Sequence, residues 1–263
     1  MKRYTVDDTV RSLREIGVKA GDVLLCYSAL FRLGQMESVD ANNVPSTILA
    51  ALLDAIGCNG TLVVPTYTFA FCRGEPFDVH ETPSVGMGVF SEFVRKHPCA
   101  HRSPHPIQSV AALGRDAEFL CSIDTPSAYD SNGVFGHLLD LRAKVLLLGA
   151  NIRSVSLFHF AEEQAAVPYR FWKQFSGPYK TDHGYEQRTY AFYVRPLDMV
   201  ETLDMPQVFQ ILQKRSLAVG VRLGAGQVVG FPAREFVSST MEILRNNPRA
   251  LLSDWKRPRG MVW

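Results

Sequence analysis

Short apolar runs alternate along this chain with stretches in which apolar residues recur every three or four positions, the marks of buried strands and amphipathic helices. Val6, Val10 and Leu13 share one face after Thr5, a residue suited to an N-cap, with Asp7 and Asp8 in the first turn and Gly17 as a stop. That pattern predicts a first helix. Val23 to Tyr27 has the length and character of a buried strand, and Ser28 to Gly34 forms a loop beyond it. Asn43 and Pro45 open a second helix whose stripe is Ile48, Leu49, Leu52, Leu53 and Ile56, ended by Gly57, and Thr61 to Val64 is the next strand. Pro65 to Pro83 shows neither period, and a loop of that length in a compact domain usually serves function. A helix opening at Gly86-Met87-Gly88 and running to about Lys96, a proline-broken loop from His97 to Gln108, a strand over Ser109 to Leu113, and helices near Asp116 to Cys121 and Phe135 to Leu141 lead to the strand Val145 to Leu148.

Strand and helix in alternation predict a three-layer α/β/α fold with a largely parallel central sheet. After Pro168 the texture changes. Arg188 to Arg195 alternates as a half-exposed antiparallel strand does, Leu217 to Val221 and Gln227 to Val229 are short strands, and Ala233 to Asn246 is a closing amphipathic helix. Residues 1–168 and 226–263 are therefore expected to form the core, and 169–225 a smaller antiparallel lobe or flap.

The junction at Lys144 to Arg170 carries the chemistry. The run ending at Leu148 and Gly149 is followed by helical spacing through Val155, Phe158, Ala161 and Ala165. In an open α/β sheet, ligands bind at the carboxyl ends of strands. His159 has Glu162 at i+3 and Glu163 at i+4, so a carboxylate reaches the imidazole from the same face. A general base with an orienting acid needs that arrangement; a half-buried histidine tied to a surface glutamate satisfies the same spacing.

Composition narrows the partners. A formal net charge of +2 over 263 residues offers no field for nucleic acid or a membrane surface, so a small molecule is the expected partner. The N-terminus lacks a signal-peptide apolar core, and no run approaches the roughly 18 residues of a spanning helix, which suggests the cytoplasm. The cysteines number five, with no CxxC pair, and read as reduced thiols. His97, His101 and His105 have metal-ligand spacing on a helix, but Pro98, Pro104 and Pro106 break any helix there, and no metal is expected. Arg222-Leu-Gly-Ala-Gly226 looks like a phosphate loop yet lies between two strands and reads as a hairpin turn. Cys72 beside Arg73 has no local histidine, and no Gly-x-Ser-x-Gly is present, so covalent catalysis is disfavoured.

Gly21-Asp-Val-Leu-Leu-Cys-Tyr-Ser-Ala-Leu30, Gly60-Thr-Leu-Val-Val-Pro-Thr-Tyr-Thr68, Met87-Gly-Val-Phe90, Arg102-Ser-Pro-His-Pro-Ile-Gln-Ser109, His159-Phe-Ala-Glu162 and Val167-Pro-Tyr-Arg170 follow one another in an order that resembles the aminoglycoside 3-N-acetyltransferase family. The resemblance implies an α/β/α acetyltransferase that moves an acetyl group from acetyl-CoA to an amine. It implies His159 as the residue that removes the amine proton, Glu162 as its carboxylate neighbour, and Ser28, Ala29, Leu30, Thr66, Thr68, Ser103, His105 and Ser109 along the CoA cleft. Tyr27, Tyr67, Arg153 and Glu163 are expected on the acceptor side, and a homodimer is possible. An ammonium must lose its proton before it attacks a thioester, which suits a histidine base; hydroxyls or amides at Ser28 to Leu30, or Ser109, are candidates to stabilise the oxyanion. Two positions depart from the family pattern: Tyr27-Ser28-Ala29 replaces a His-Ser-Ser type triplet, and Arg153 stands where an acid is usual. An arginine repels a polycationic aminoglycoside and suits an anionic acceptor, so a biosynthetic amino sugar or sugar nucleotide ranks slightly ahead of an antibiotic. The competing readings are a weakly active homologue that binds CoA or a glycan without turnover, and a thioesterase in which His159 activates water.

Overall fold

In the computed structural model, which describes residues 2–199 and 202–253, the run at 23–27 is apolar throughout because both faces of its strand are covered. Val23, Leu25 and Tyr27 enter one core cluster, and Leu24 and Cys26 another. In chain order the elements are β1 (Arg3–Tyr4), α1 (Val6–Glu15), β2 (Val23–Ser28), β3 (Gln35–Met36), α2 (Val44–Ile56), β4 (Thr61–Pro65), α3 (Gly88–Arg95), β5 (His101–Arg102), β6 (Val110–Gly114), α4 (Ala117–Ser122), α5 (Val134–Asp140), β7 (Lys144–Leu148) and α6 (Leu157–Gln164). They continue with β8 (Phe171–Thr181), β9 (Gly184–Val194), β10 (Thr202–Leu203), α7 (Met205–Lys214), β11 (Val219–Leu223), β12 (Gly226–Pro232), α8 (Ala233–Asn246) and β13 (Leu252–Ser253). Thr5 caps α1 reciprocally: its Oγ1 accepts from the Asp8 amide at 3.1 Å, and Asp8 Oδ2 accepts from the Thr5 amide at 2.9 Å.

The main sheet has seven strands in the order β11-β12-β7-β2-β4-β6-β5. Helices α1, α2 and α3 supply Leu13, Ile48 and Phe90 to the cluster on one face, and α5, α6 and α8 supply Phe135, Phe158 and Phe236 to the other. This is the expected α/β/α layering. The parallel character, however, is confined to β7, β2 and β4; the outer strands pair antiparallel. After β4 the chain passes through α3 and the proline-broken segment and returns to the end it left, with Val110 opposite Pro65, so β6 must run backwards.

Within the stretch 169–225, β8 and β9 form a separate two-stranded ribbon, seated by Tyr179 and Tyr190 against Phe71, Phe77 and Ile107. By contrast α7 packs in the same cluster as α8, and β11 is the edge strand of the main sheet. The Arg222 to Gly226 segment is the turn of the β11–β12 hairpin. It buttresses the loop after β2: the Ala225 amide donates to Leu33 O at 2.8 Å, and a Cβ on Gly224 would meet that same oxygen at 2.1 Å.

The connection from β2 goes to β4 on one side while β7 lies on the other, so a topological switch point falls at the carboxyl ends of β2 and β7. There the Ala29 amide donates to Leu148 O at 2.9 Å. Gly149, at φ +69°, lies so close that a Cβ would sit 2.7 Å from Ala29 O. No helix among the described residues is long and apolar enough to cross a membrane.

Candidate active site

The helix that follows β7 starts later than its periodicity predicts. Ile152–Ser154 form a 3-10 turn, Val155 is buried ahead of the helix, and α6 begins at Leu157. Its start is held from below. Tyr27 Oη and Tyr67 Oη lie 2.7 and 2.5 Å from Ser156 Oγ, and all three side chains are buried. Burial pushes the Tyr27 phenol up to about 12, so it stays a neutral hydrogen-bonding group. Both tyrosines were expected against an acceptor; their hydroxyls are instead occupied in fixing α6.

Glu162 is 0% exposed, and both its oxygens are filled. Oε1 accepts from Tyr169 Oη at 2.9 Å, and Oε2 accepts from Arg170 Nη2 at 2.9 Å and from His159 Nδ1 at 2.6 Å. Arg170 Nη1 also donates to Tyr193 O at 3.0 Å, which ties this cluster to β9. Burial would raise the Glu162 carboxyl, but the His159 hydrogen bond and the Arg170 charge outweigh it and hold the group below its ordinary value. Arg170 Nη2 also lies 3.1 Å from Nδ1, but the carboxylate contact is the shorter, and since an ionised carboxylate only accepts we assign the ring proton to Nδ1 and the lone pair of the neutral ring to Nε2. With its side chain 33% exposed, His159 reaches the wall of a cavity of about 440 Å³.

Among the described residues of that wall are Arg153 and Arg195 with His159, apolar groups such as Phe192 and Met205, and Glu162, which is paired with Arg170. Glu163 is not part of this lining. It turns to the 124–133 loop, where its Oε2 accepts from Ser127 Oγ at 2.8 Å, and burial raises its carboxyl to about 7.

The residues expected along a cofactor cleft divide into two groups. Thr66, Thr68, Ser103, His105 and Ser109 are buried, and their polar atoms serve the fold. Ser109 Oγ donates to Thr66 O at 2.9 Å and accepts from Arg102 Nε at 3.0 Å; Ser103 Oγ accepts from the Val110 amide at 2.9 Å. Thr68 Oγ1 accepts from the Ala70 amide, and His105 Nδ1 accepts from the amides of Ile107 and Gln108 at 3.3 and 3.2 Å. Ser109 is thus not available as an oxyanion donor, nor is the Ala29 amide, which bonds Leu148 O. Ser28 and Ala29 remain half-buried at the switch point, next to a fully open Phe31 at 80% exposure. Gly88, at φ +86°, brings the start of α3 within 3.4 Å of Ser28 O, measured from a built Cβ. Among the described residues no group of three or more His, Cys, Asp or Glu side chains is placed to hold a metal; His105 in particular is buried edge-on against Tyr190.

Arg170 and Tyr169 were not foreseen as site residues. They follow Ala166, at φ +48°, and Pro168, which turn the chain back over Glu162. A polar pair straight after a helix stop, opposite an acid on the apolar side of that helix, is the signal that would have found them, since a buried carboxylate requires partners.

Residues 28–245 match the family model described as aminoglycoside 3-N-acetyltransferase. The chain belongs to that family. Over 193 residues it is 29% identical to aminoglycoside N(3)-acetyltransferase III from a Salmonella species, a match that spans 66% of each protein. Over 263 residues it is 27% identical to aminoglycoside N(3)-acetyltransferase VII of Streptomyces paromomycinus, spanning 86% of each. AAC-IIIb, solved as a binary complex with CoASH, has the same fold at a TM-score of 0.82, with 23% identity, 93% of this chain and 97% of that one covered. The N-acetyltransferase fold is therefore shared over nearly the whole of the described chain.

Proposed function

We propose that this member of the aminoglycoside 3-N-acetyltransferase family is an acetyl-CoA-dependent N-acetyltransferase acting on an amine of an amino sugar. The observation that carries the reading is the His159–Glu162–Arg170 cluster, which leaves one imidazole nitrogen basic at the wall of a cavity of about 440 Å³. His159 Nε2 takes the proton from the incoming ammonium, and Glu162 fixes the tautomer that makes this possible. Arg170 neutralises the carboxylate and holds it in place. CoA in the solved AAC-IIIb complex and the names of the curated relatives supply the donor and the acceptor class.

The chain offers a thioester donor an open turn rather than buried hydroxyls. The Ser28 to Phe31 turn lies against the glycine backbone at Gly88, and the amides of Leu30 and Phe31, first in a 3-10 turn, have no acceptor within that turn. We assign those amides as the donors to negative charge that develops on a carbonyl beside β2. Bound acetyl-CoA supplies the acetyl group as an activated thioester. The acceptor is an amino sugar, and the names of the curated relatives favour an aminoglycoside over a biosynthetic amino sugar or sugar nucleotide.

Thiol release from acetyl-CoA, followed with a panel of aminoglycosides and anionic amino sugars, tests the reading. Amine-dependent release that disappears in His159→Ala supports it; acceptor-independent release would identify a thioesterase, and binding of CoA without any release a non-catalytic homologue.

A further inference from the structure

Residues 149–156 hold only a 3-10 turn between β7 and α6, so the sheet alone does not fix where α6 starts. Side chains from the donor side do. Ser156 stands at the N-cap of α6, where a serine ordinarily gives its hydroxyl to the free amides of the first turn. Here it makes no such bond. Its Oγ instead meets Tyr27 Oη at 2.7 Å and Tyr67 Oη at 2.5 Å, partners 129 and 89 residues away. Tyr27 is the next-to-last residue of β2 and directly precedes Ser28, where the turn assigned to the thioester begins. Tyr67 lies in the irregular stretch after β4, but its backbone is clamped. Thr66 O accepts from Arg102 Nη2 and from Ser109 Oγ, each at 2.9 Å, and Tyr67 O accepts from the Val85 amide at 2.8 Å. On the other side, Ser156 O accepts from the His159 amide at 2.8 Å, so the backbone of the base hangs on the same residue. All three side chains are buried, and hydrogen bonds away from water are stronger than exposed ones.

Resting on the acetyltransferase reading, we propose that Tyr27, Tyr67 and Ser156 are positioning residues for acetyl transfer, whose shared hydrogen bonds set the spacing between the thioester turn after β2 and the base on α6. None of the three touches substrate in this role. The amine must meet His159 and the thioester carbon together, and a misplacement of about 1 Å in such an arrangement costs about 10²-fold in rate. A bond that links the two sides directly therefore acts on turnover rather than on the binding of either substrate. Tyr129 supplies the comparison. Its phenol is buried beside the same three groups, with its ring 6.1 Å from that of His159, yet its Oη makes no hydrogen bond among the described residues.

Tyr27→Phe, Ser156→Ala and the double variant test this, with Tyr129→Phe as the control and thermal melts confirming the fold of each. In steady-state thiol release, either single substitution should lower kcat by about tenfold while KM for acetyl-CoA and for the acceptor stays within about twofold. The double variant should lose clearly less than the product of the two, because both substitutions break the same bond. Tyr129→Phe removes a hydroxyl that makes no bond and should keep kcat within about twofold. Unchanged kcat in the two single variants overturns the proposal, as do losses that fall on KM, that multiply in the double variant, or that Tyr129→Phe reproduces. Hydrogen exchange read by mass spectrometry follows the link without turnover: amides of residues 157–160 should exchange about threefold faster or more in Tyr27→Phe and as in the unsubstituted protein in Tyr129→Phe. Faster exchange in a protein that acetylates nothing would sink the enzyme reading while the link between the two elements stands. Unchanged kcat and unchanged exchange in Tyr27→Phe, beside an active unsubstituted protein, would sink the positioning role and leave the enzyme reading intact.

Discussion

Two histidines of this chain end up in opposite circumstances, and the difference shows what turns an imidazole into a base. His105 is fully enclosed, edge-on to Tyr190 at 4.9 Å between ring centroids, with Nδ1 accepting two backbone amides. Burial drives it down to about 3, so it remains a neutral acceptor that shapes a loop. His159 has its Nδ1 facing a buried carboxylate instead, and so its remaining nitrogen keeps a lone pair at a cavity wall. In one case the backbone uses the ring as an acceptor; in the other a carboxylate forces it to donate and leaves the basic nitrogen for a substrate.

The sharpest way to break the contrast is to remove each ring. His159→Ala should lower amine-dependent acetyl transfer by about 10³-fold while leaving the melting temperature within a few degrees, since general-base contributions run to roughly 10²–10⁴. Steady-state thiol release and a thermal melt on the same sample decide it; a loss of under tenfold would demote His159 to a wall residue. Next in size is Glu162→Gln. A glutamine amide can donate to Nδ1 and so favours the wrong tautomer, and it leaves Arg170 buried without its counter-charge. We expect kcat to fall by about 10²-fold and stability by about 3 kcal/mol, read from turnover and denaturant titration.

How far these roles could be read beforehand depended on distance along the chain. His159 and Glu162 are three residues apart, so helical spacing alone places them together. The Thr5 cap of α1 and the bounds of α8 were legible for the same reason, as local chemistry. Tyr27 and Tyr67 were singled out, but their convergence on Ser156 spans 129 and 89 residues and leaves no trace in any window. The direction of β6 is likewise set by how a loop returns, not by the apolar run that forms the strand. Strand β8 escaped notice because Gly177 and Pro178 interrupt its alternation, although Gly177 is where Phe71 packs against the ribbon at 3.1 Å from a built Cβ.

His105→Asn probes the enclosed partner. An asparagine oxygen can still accept from the amides of Ile107 and Gln108, so the loop should persist and kcat should stay within about threefold, well inside the effect expected of a base. Its signature is in the acid limb of stability. The folded-state value of about 3 lies below the ordinary 6.5, so the unfolded chain binds the extra proton and stability falls as pH drops from 6.5 toward 3. The variant should lose up to about 1.4 kcal/mol per pH unit of that slope. An unchanged slope in denaturant titrations at several pH values would mean that the ring is not enclosed.

Glu163, one turn from His159 on the same helix, gives the smallest effect and the opposite sign. Burial raises its carboxyl to about 7, the Ser127 hydrogen bond only partly offsets this, and Asp130 adds repulsion. The folded state therefore binds the proton more tightly than the unfolded chain does, and stability falls as pH rises from the ordinary carboxylate range to about 7. Glu163→Gln keeps an oxygen for Ser127 and removes the titration. It should stabilise the protein by about 1–2 kcal/mol at pH 8, allowing for partial solvent screening, and leave it unchanged near pH 4. Melting curves at the two pH values check this. A variant that destabilises at pH 8 would mean that Glu163 carries its charge to a partner, and would return it to the acceptor side of the site, where an ammonium group could be that partner.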